Sequence, residues 1–287
     1  MTPDSSIALV LVGHVGFAED HTRFGSSLSH GGSGYACAVG AGAGDPGRVG
    51  VVAHVGEDFD RDAMAKLGVD LRGAVRVRGR SPRLTITQHS TTERSFHSEL
   101  GVAAAPAIGA FPSAYASARH VHLATMPVTE QEQWLDLVRD RMPGATVSVD
   151  MFEAIAAESP EACRRVCRRA DLVFANDVER RTLFGDGPLP SAESVVKAGA
   201  DGAELRGPSG VVRVPAPDCG PVLDTTGAGE VLAGAFLSMR VLGVPDRVAL
   251  RHAVEVASAK VTEFGVDGPR LRHAIESAHA AVGDYRR

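Results

Sequence analysis

From about residue 105 onward, short apolar runs alternate with amphipathic helical stretches, and this alternation limits the possible folds more than any other feature. Residues 120–124, 145–150 and 172–175 read as strands. Residues 130–141, 160–170 and 178–184 carry helical spacing between and after them. A strand that is apolar on both faces must be covered on both faces, and the connecting helices supply the cover. Parallel neighbours joined by right-handed helical crossovers satisfy this pattern. The expected fold is therefore α/β, a doubly wound, mostly parallel sheet flanked by helices, with residues 1–287 forming one domain. Residues 7–12 and 48–55 read as further buried strands, with a turn at 56–60 and a helix ending near Gly68. Another strand begins at 194–197, a turn follows at 199–202, and the chain resumes at 203–205. Two prolines, Pro215 and Pro217, confine residues 213–217 to an edge or a connector. Residues 249–263 read as a long helix. Residues 84–89 and 94–97 instead alternate apolar and polar around a polar turn at 90–93, the mark of a half-exposed hairpin.

Composition removes several function classes. The formal net charge is −5 and aromatic residues make up 5% of the chain, so neither a basic footprint nor a base-stacking surface is expected, and no nucleic-acid partner. The apolar run at 7–12 is too short for a signal segment or a membrane span, which predicts a cytoplasmic protein with no membrane partner. Of the four cysteines, Cys37, Cys163, Cys167 and Cys219, the pair 163/167 lies one helical turn apart without a second ligand pair, so these read as thiols rather than a zinc site.

Chemistry concentrates at two places. Gly227, Ala228 and Gly229 leave backbone N–H groups uncovered where an apolar, small-residue helix begins. Such amides, with the helix dipole behind them, make a site for an anion. Glu230 then closes the turn. A carboxylate is a poor anion ligand, but it can take a proton from a hydroxyl that attacks a phosphorus held by those amides. The same residues would also serve as an ordinary helix start with a dipole-matching acid. The second place is Asn176 with Glu179, just beyond a strand, where ligands gather in open α/β sheets. The pair reads either as partners of a hydrated Mg²⁺ or as a capping box. Asp150, at another strand end, reads as a supporting polar group or a helix cap.

The string from Leu223 to Phe236, with Asp224, Thr225 and Thr226 before the glycines, resembles the C-terminal signature of the ribokinase/PfkB carbohydrate kinase family. The Gly31–Tyr35 segment, the small-residue helix after it and the Gly56-Glu57-Asp58 turn resemble that family in the same order. The family places Asp where this chain has Glu230. The resemblance implies ATP and Mg²⁺. Asn176 and Glu179 would organise the metal through water, and Lys197, Gly199, Gly202 and Thr225 would contact the nucleotide. Adenine would lie between the 199–202 turn and residues 253–257. The resemblance also implies a monovalent cation, K⁺, at Asp224 and the turn around Gly265. A small β-lid, built from about 14–32 and 82–99, would cover the acceptor and could pair two subunits into a homodimer.

On the acceptor side the chain departs from the family. The positions that usually grip vicinal hydroxyls read His14, Gly16, Ala18 and Ala36. The remaining candidates are His14, Asp20, Gly32, Ser33, Tyr35 and Arg94, with Glu19 and His30 beside them. Without the usual clamp, the expected acceptor is a nucleoside, a modified sugar, an aminosugar or a cyclitol. His120 and His122 find no third metal ligand and read as strand-end polar residues. The expected function is ATP-dependent phosphorylation of a hydroxyl with Glu230 as base. The alternative is a kinase-fold protein that binds nucleotide or sugar without transfer. A dinucleotide-binding dehydrogenase fits less well, because residues 13–18 lack the glycine fingerprint's spacing.

Overall fold

The computed structural model describes residues 6–22, 25–88 and 94–286. Its first apolar run is β1 (Leu9–Val12), buried at every position. Two longer strands follow, β2 (Gly16–Thr22) and β3 (Gly25–Gly31), then α1 (Ser33–Ala41), β4 (Val49–Val55), α2 (Arg61–Ala65) and β5 (Asp70–Arg76). Next come β6 (Arg83–Gln88), β7 (Arg94–Glu99), β8 (His120–Leu123), α3 (Val128–Arg141), β9 (Thr146–Asp150), α4 (Glu153–Glu158) and α5 (Pro160–Arg169). The C-terminal part holds β10 (Leu172–Asn176), α6 (Asp177–Phe184), β11 (Glu193–Lys197), β12 (Ala203–Gly207), β13 (Gly210–Val214), α7 (Ala228–Arg240), α8 (Asp246–Lys260) and α9 (Pro269–Ala281).

The strands form a nine-stranded sheet in the order β13-β12-β11-β10-β9-β8-β1-β4-β5. All pairs from β5 to β11 are parallel, and β12 and β13 continue the sheet as an antiparallel hairpin. The chain winds outward from β1 through β4 to β5, then returns to β8 on the other side and winds toward β11. That reversal opens a crevice beyond the carboxyl ends of the strands. A separate four-stranded sheet has the order β3-β2-β6-β7. The alternating segment read as a hairpin is its β6/β7 pair; the connecting turn at 90–93 and His89 lie outside the described residues. Among the described residues, no helix is long and apolar enough to cross a membrane.

One expectation is corrected. His120 does open β8, but His122 lies inside the strand, and both are buried between β1 and β9 rather than standing as exposed strand-end groups. Both side chains are buried and share one hydroxyl: His120 Nε2 is 2.7 Å and His122 Nδ1 2.8 Å from Ser148 Oγ. Burial pulls His120 down to about 3 and holds His122 well below the ordinary histidine value, so both rings are neutral. The alternation of β8 places two polar residues inside, and a hydroxyl on β9 makes that tolerable.

The small residues of α1 and α7 explain where the glycine-rich turn ends up. A Cβ on Gly234 would run into the carbonyl oxygen of Cys37, and one on Gly40 into that of Val231. The two helices therefore cross backbone on backbone, and α7 is drawn down onto the sheet with its N-terminus over the crevice. Gly13 and Gly34 make a similar contact between the end of β1 and the start of α1. Gly234→Ala should force α7 away from α1 and destabilise the protein by about 1–3 kcal/mol, the usual cost of overpacking, as read by urea denaturation. An unchanged midpoint would mean that this crossing is not tight.

Candidate active site

Strands β9, β10 and β11 end side by side; Asn176 and Lys197 end at one level of the sheet, and Asp150 ends β9 two residues lower. The register pairs Asn176 with Lys197 and Phe174 with Asp150. The start of α7 faces them across a cavity of ≈ 840 Å³ lined by Asn176, Glu179, Lys197, Gly199, Gly202 and residues 225–230, among others. Gly227 is the N-cap of α7 in the left-handed region (φ 79°), and no side chain among the described residues caps the helix. The helix start is thus bare toward the cavity. Gly229 packs close to the lysine: a Cβ there would stand 2.8 Å from Lys197 Nζ, so a side chain would push the ammonium aside.

Charge is dense around that lysine. Lys197 Nζ donates to Asp150 Oδ1 at 2.6 Å. Burial alone would pull this ammonium down, but Asp150, Glu179 and Glu230 hold it above its ordinary value. Burial pushes Asp150 up to about 6 against the pull of Lys197, with Glu230 adding to the rise. Glu179 is pushed up to about 7, again by burial first, with Asp150 and Glu230 adding to it. Glu230 Oε1 accepts from Thr125 Oγ1 at 3.2 Å. Thr125 in turn is anchored by its carbonyl, which accepts from Ser33 Oγ at 2.7 Å, and Ser33 Oγ accepts from His14 N at 3.2 Å.

The capping box at Asn176 is present. Glu179 N donates to Asn176 Oδ1 at 2.8 Å, Asn176 N to Glu179 Oε2 at 2.7 Å, and Asn176 Nδ2 to Glu179 Oε1 at 2.9 Å. Capping fixes the Glu179 carboxylate while leaving it on the cavity wall. Asp150 Oδ2 is buried with no partner among the described residues. Also among the described residues, no group of three or more His, Cys, Asp or Glu side chains could hold a metal by itself. An orphaned carboxylate oxygen beside a second carboxylate fits a Mg²⁺ that arrives on phosphates and keeps much of its water.

The expected nucleotide contacts gather in one place. Gly199 (φ 56°) has open space where a side chain would stand, whereas Gly202 packs against the backbone of β13. Val254, Ala257 and Ser258 of α8 form the facing wall. The expected acceptor residues lie elsewhere. Ser33 and His14 belong to the chain of bonds beneath Glu230, and Gly32 (φ 93°) turns tightly against the His14 carbonyl. Tyr35 is buried beside His30 and Phe59, with ring centroids 5.7 and 5.9 Å away. Asp20 is buried on β2, and Arg94 opens β7 opposite Gln88. From the four-stranded sheet, Leu84 and Phe96 reach the cavity, and Phe96 meets Phe152 edge-on at 6.5 Å.

The monovalent cation expected at Asp224 does not fit the residues present. Asp224 is ion-paired with Lys260, whose Nζ lies 2.5 Å from Oδ2 and 2.8 Å from the Asp224 carbonyl oxygen. The sequence reading missed both Thr125 and Lys260. Thr125 had a signal, its place just past a strand's carboxyl end. Lys260 had another: a charge amid alanines and valines on a buried helix face needs a counter-charge.

Because Glu179 holds its proton to higher pH when folded, the folded chain binds more protons than the unfolded chain between its ordinary value of 4.5 and about 7. This contribution to stability falls as pH rises through that window. Urea midpoints of the ligand-free protein should therefore fall relative to those of Glu179→Gln across the window. A difference that grew in the opposite sense would contradict the placement of Glu179.

Comparison with known proteins agrees with this architecture. The model of the pfkB family carbohydrate kinases matches residues 7–272. A cytidine kinase of Thermococcus kodakarensis is 26% identical over 236 residues, covering 76% of this chain and 83% of that protein. Among solved structures, adenosine kinase from Sinorhizobium meliloti superposes with a TM-score of 0.80 at 17% identity, covering 95% of this chain and 99% of that one. Ribokinase from Cryptococcus neoformans in complex with ADP superposes with a TM-score of 0.74 at 20% identity, covering 97% and 99%. With the family match spanning residues 7–272, and with the bare helix start and its carboxylate above the strand ends, this chain belongs to the pfkB family of carbohydrate kinases and is a phosphotransferase that uses an alcohol as acceptor.

Proposed function

We propose that this chain transfers the γ-phosphoryl group of ATP to a hydroxyl of a sugar or nucleoside-like small molecule, and that Glu230 is the base. The observation that carries this reading is the position of Glu230. It sits in the first turn of α7, on the wall of the cavity, one residue from the bare amides, and is held from the other side by Thr125. The nucleotide occupies the cavity between the 199–202 turn and α8. The γ-phosphoryl group meets the amides of residues 227–229, and the Lys197 ammonium stands beside Gly229. The acceptor hydroxyl gives its proton to Glu230 while its oxygen bonds to phosphorus, and the bond from phosphorus to the ADP oxygen breaks. Glu179 and Asp150 would hold Mg²⁺ through water, and the metal would neutralise charge on the phosphates.

Glu is one methylene longer than the Asp of the family. The Thr125 hydrogen bond counters this by fixing where the carboxylate ends, which matters because a misplacement of about 1 Å can cost about 100-fold in rate. The four-stranded sheet acts as the lid: Leu84 and Phe96 already face the cavity, and an apolar cover keeps water from the phosphoryl group. The likeness to a cytidine kinase puts nucleosides first among acceptors to try, ahead of free sugars.

Incubation with ATP, Mg²⁺ and a panel of nucleosides, sugars and cyclitols should yield a phosphorylated product from at least one acceptor. Glu230→Gln should lower kcat by about 100- to 10,000-fold, the range for loss of a general base, with nucleotide affinity nearly unchanged. A Glu230→Gln enzyme that turned over normally would remove Glu230 from the role of base. A panel with no product from any acceptor would favour a nucleotide-binding protein without transfer.

A further inference from the structure

Lys260 is the last residue of α8, fully buried, and its ammonium points back at the start of the anion turn. It donates to two oxygens of one residue, the carbonyl and Oδ2 of Asp224. The other carboxylate oxygen, Oδ1, accepts from Thr226 N at 2.8 Å. The Asp224 side chain thus bridges the ammonium and the backbone of the turn. The main chain is tied to the same place: Leu223 N and Asp224 N both donate to the Val261 carbonyl, at 2.8 and 3.2 Å. Three residues after Asp224, Gly227 begins the bare helix start.

We propose that Lys260 supplies, from within the chain, the positive charge that a bound monovalent cation would supply at Asp224, so that the anion turn is held by a tethered ammonium and works without such a cation. A monovalent metal ion binds through a cluster of oxygens that includes a carboxylate and backbone carbonyls. Here the Asp224 carboxylate and carbonyl are already turned to Nζ. An ammonium group carries the same charge as K⁺ and is close to it in size, so it fills the electrostatic need and the space. A second cation placed on the same two oxygens would meet the ammonium at contact distance, with little water between to screen the repulsion. The position also favours a cation because the C-terminal end of α8 presents the negative end of its dipole. Burial without a counter-charge would be prohibitive for either partner alone, so the pair stands or falls together. Lys260 is fully buried and does not line the cavity. It is a positioning residue that acts through Asp224 and Thr226 on the amides of residues 227–229.

The activity arm of the test rests on the kinase reading above; the stability and nucleotide-binding arms do not. Melting temperature, Mg²⁺·ADP affinity by calorimetry and turnover are measured in KCl, NaCl, CsCl and tetramethylammonium chloride at one ionic strength. The unaltered protein should show less than about twofold variation in affinity and turnover across the four salts, the residue left by general screening, and an unchanged melting temperature. Lys260→Ala, which removes the charge and opens its space, should lose on the order of 100-fold in nucleotide affinity or turnover and regain about 10-fold or more in KCl but not in tetramethylammonium. A merely structural lysine would give a variant that no small cation rescues, and that result would overturn the proposal. Stimulation or thermal stabilisation of the unaltered protein by K⁺ over tetramethylammonium would overturn it as well. This second measurement decides the matter even if Lys260→Ala does not fold. If no acceptor is ever phosphorylated, the kinase reading fails, while the melting and calorimetric arms still decide the role of Lys260.

Discussion

The contact between α1 and α7, made through Gly40 and Gly234 without a side chain between the backbones, sets the distance on which the site depends. With any larger residue at the crossing, α7 would ride higher over the sheet. Its N-terminal amides would then stand away from the ends of β9, β10 and β11. Because the helices touch, Gly229 comes down onto Lys197, and the ammonium of a strand end shares one small volume with the positive end of a helix dipole. Both positive features line the same cavity, and together they favour an anion there. The small residues of α7 therefore act at a distance from the chemistry, by fixing how close two layers of the fold can come.

That volume is not purely positive. Asp150, Glu179 and Glu230 surround Lys197; burial first, with the neighbouring carboxylates adding to it, raises Asp150 and Glu179. A cavity meant to hold phosphates would gain nothing from three carboxylates unless each had another task. Glu179 has a structural one, since its carboxylate caps the start of α6 from the side that faces Asn176. The cap does not exclude the proposed metal role: capping immobilises the Glu179 carboxylate without removing it from the cavity. Asp150 steadies Lys197 through one oxygen and leaves the other without a partner among the described residues. Glu230 alone lies beyond the amides, on the side of Thr125 and Ser33, which suits the proposed base.

Much of the fold was legible because buried parallel strands are apolar throughout and their helices keep period. The runs at 7–12, 120–124, 145–150 and 172–175 each contain or overlap a strand of the sheet. β5 and α9 were not anticipated, and β2 and β3 were expected only as part of the β-lid that the resemblance implies, since strands exposed on one face carry weak signals. The part of the cavity wall formed by turns was legible because local strings encode it: a turn and its following helix, or a cap and its partner three residues on. Pairings across the fold were not. Nothing local says that Thr125 meets Glu230, 105 positions later, or that the two histidines of β8 share a serine on β9. Sequence patterns report on the residue and its neighbours, and long-range hydrogen bonds belong to the assembled sheet.

The two lysine–carboxylate pairs of the turn show how burial divides labour between similar groups. Lys197 with Asp150 and Lys260 with Asp224 have nearly equal separations, 2.6 and 2.5 Å. The side chain of Lys197 is 15% exposed and lines the cavity, whereas that of Lys260 is 0% exposed. A lysine at the cavity wall can turn from its carboxylate to an arriving phosphate, because the ligand replaces the interaction it gives up. A lysine with no access to the cavity has no such exchange open to it, and moving it would strand two charges in an apolar interior. One ammonium can therefore respond to the ligand while the other holds constant the loop that receives it. A turn whose amides must be in place before the phosphate arrives benefits from a charge that cannot leave, since preorganised dipoles need no rearrangement at the moment of reaction.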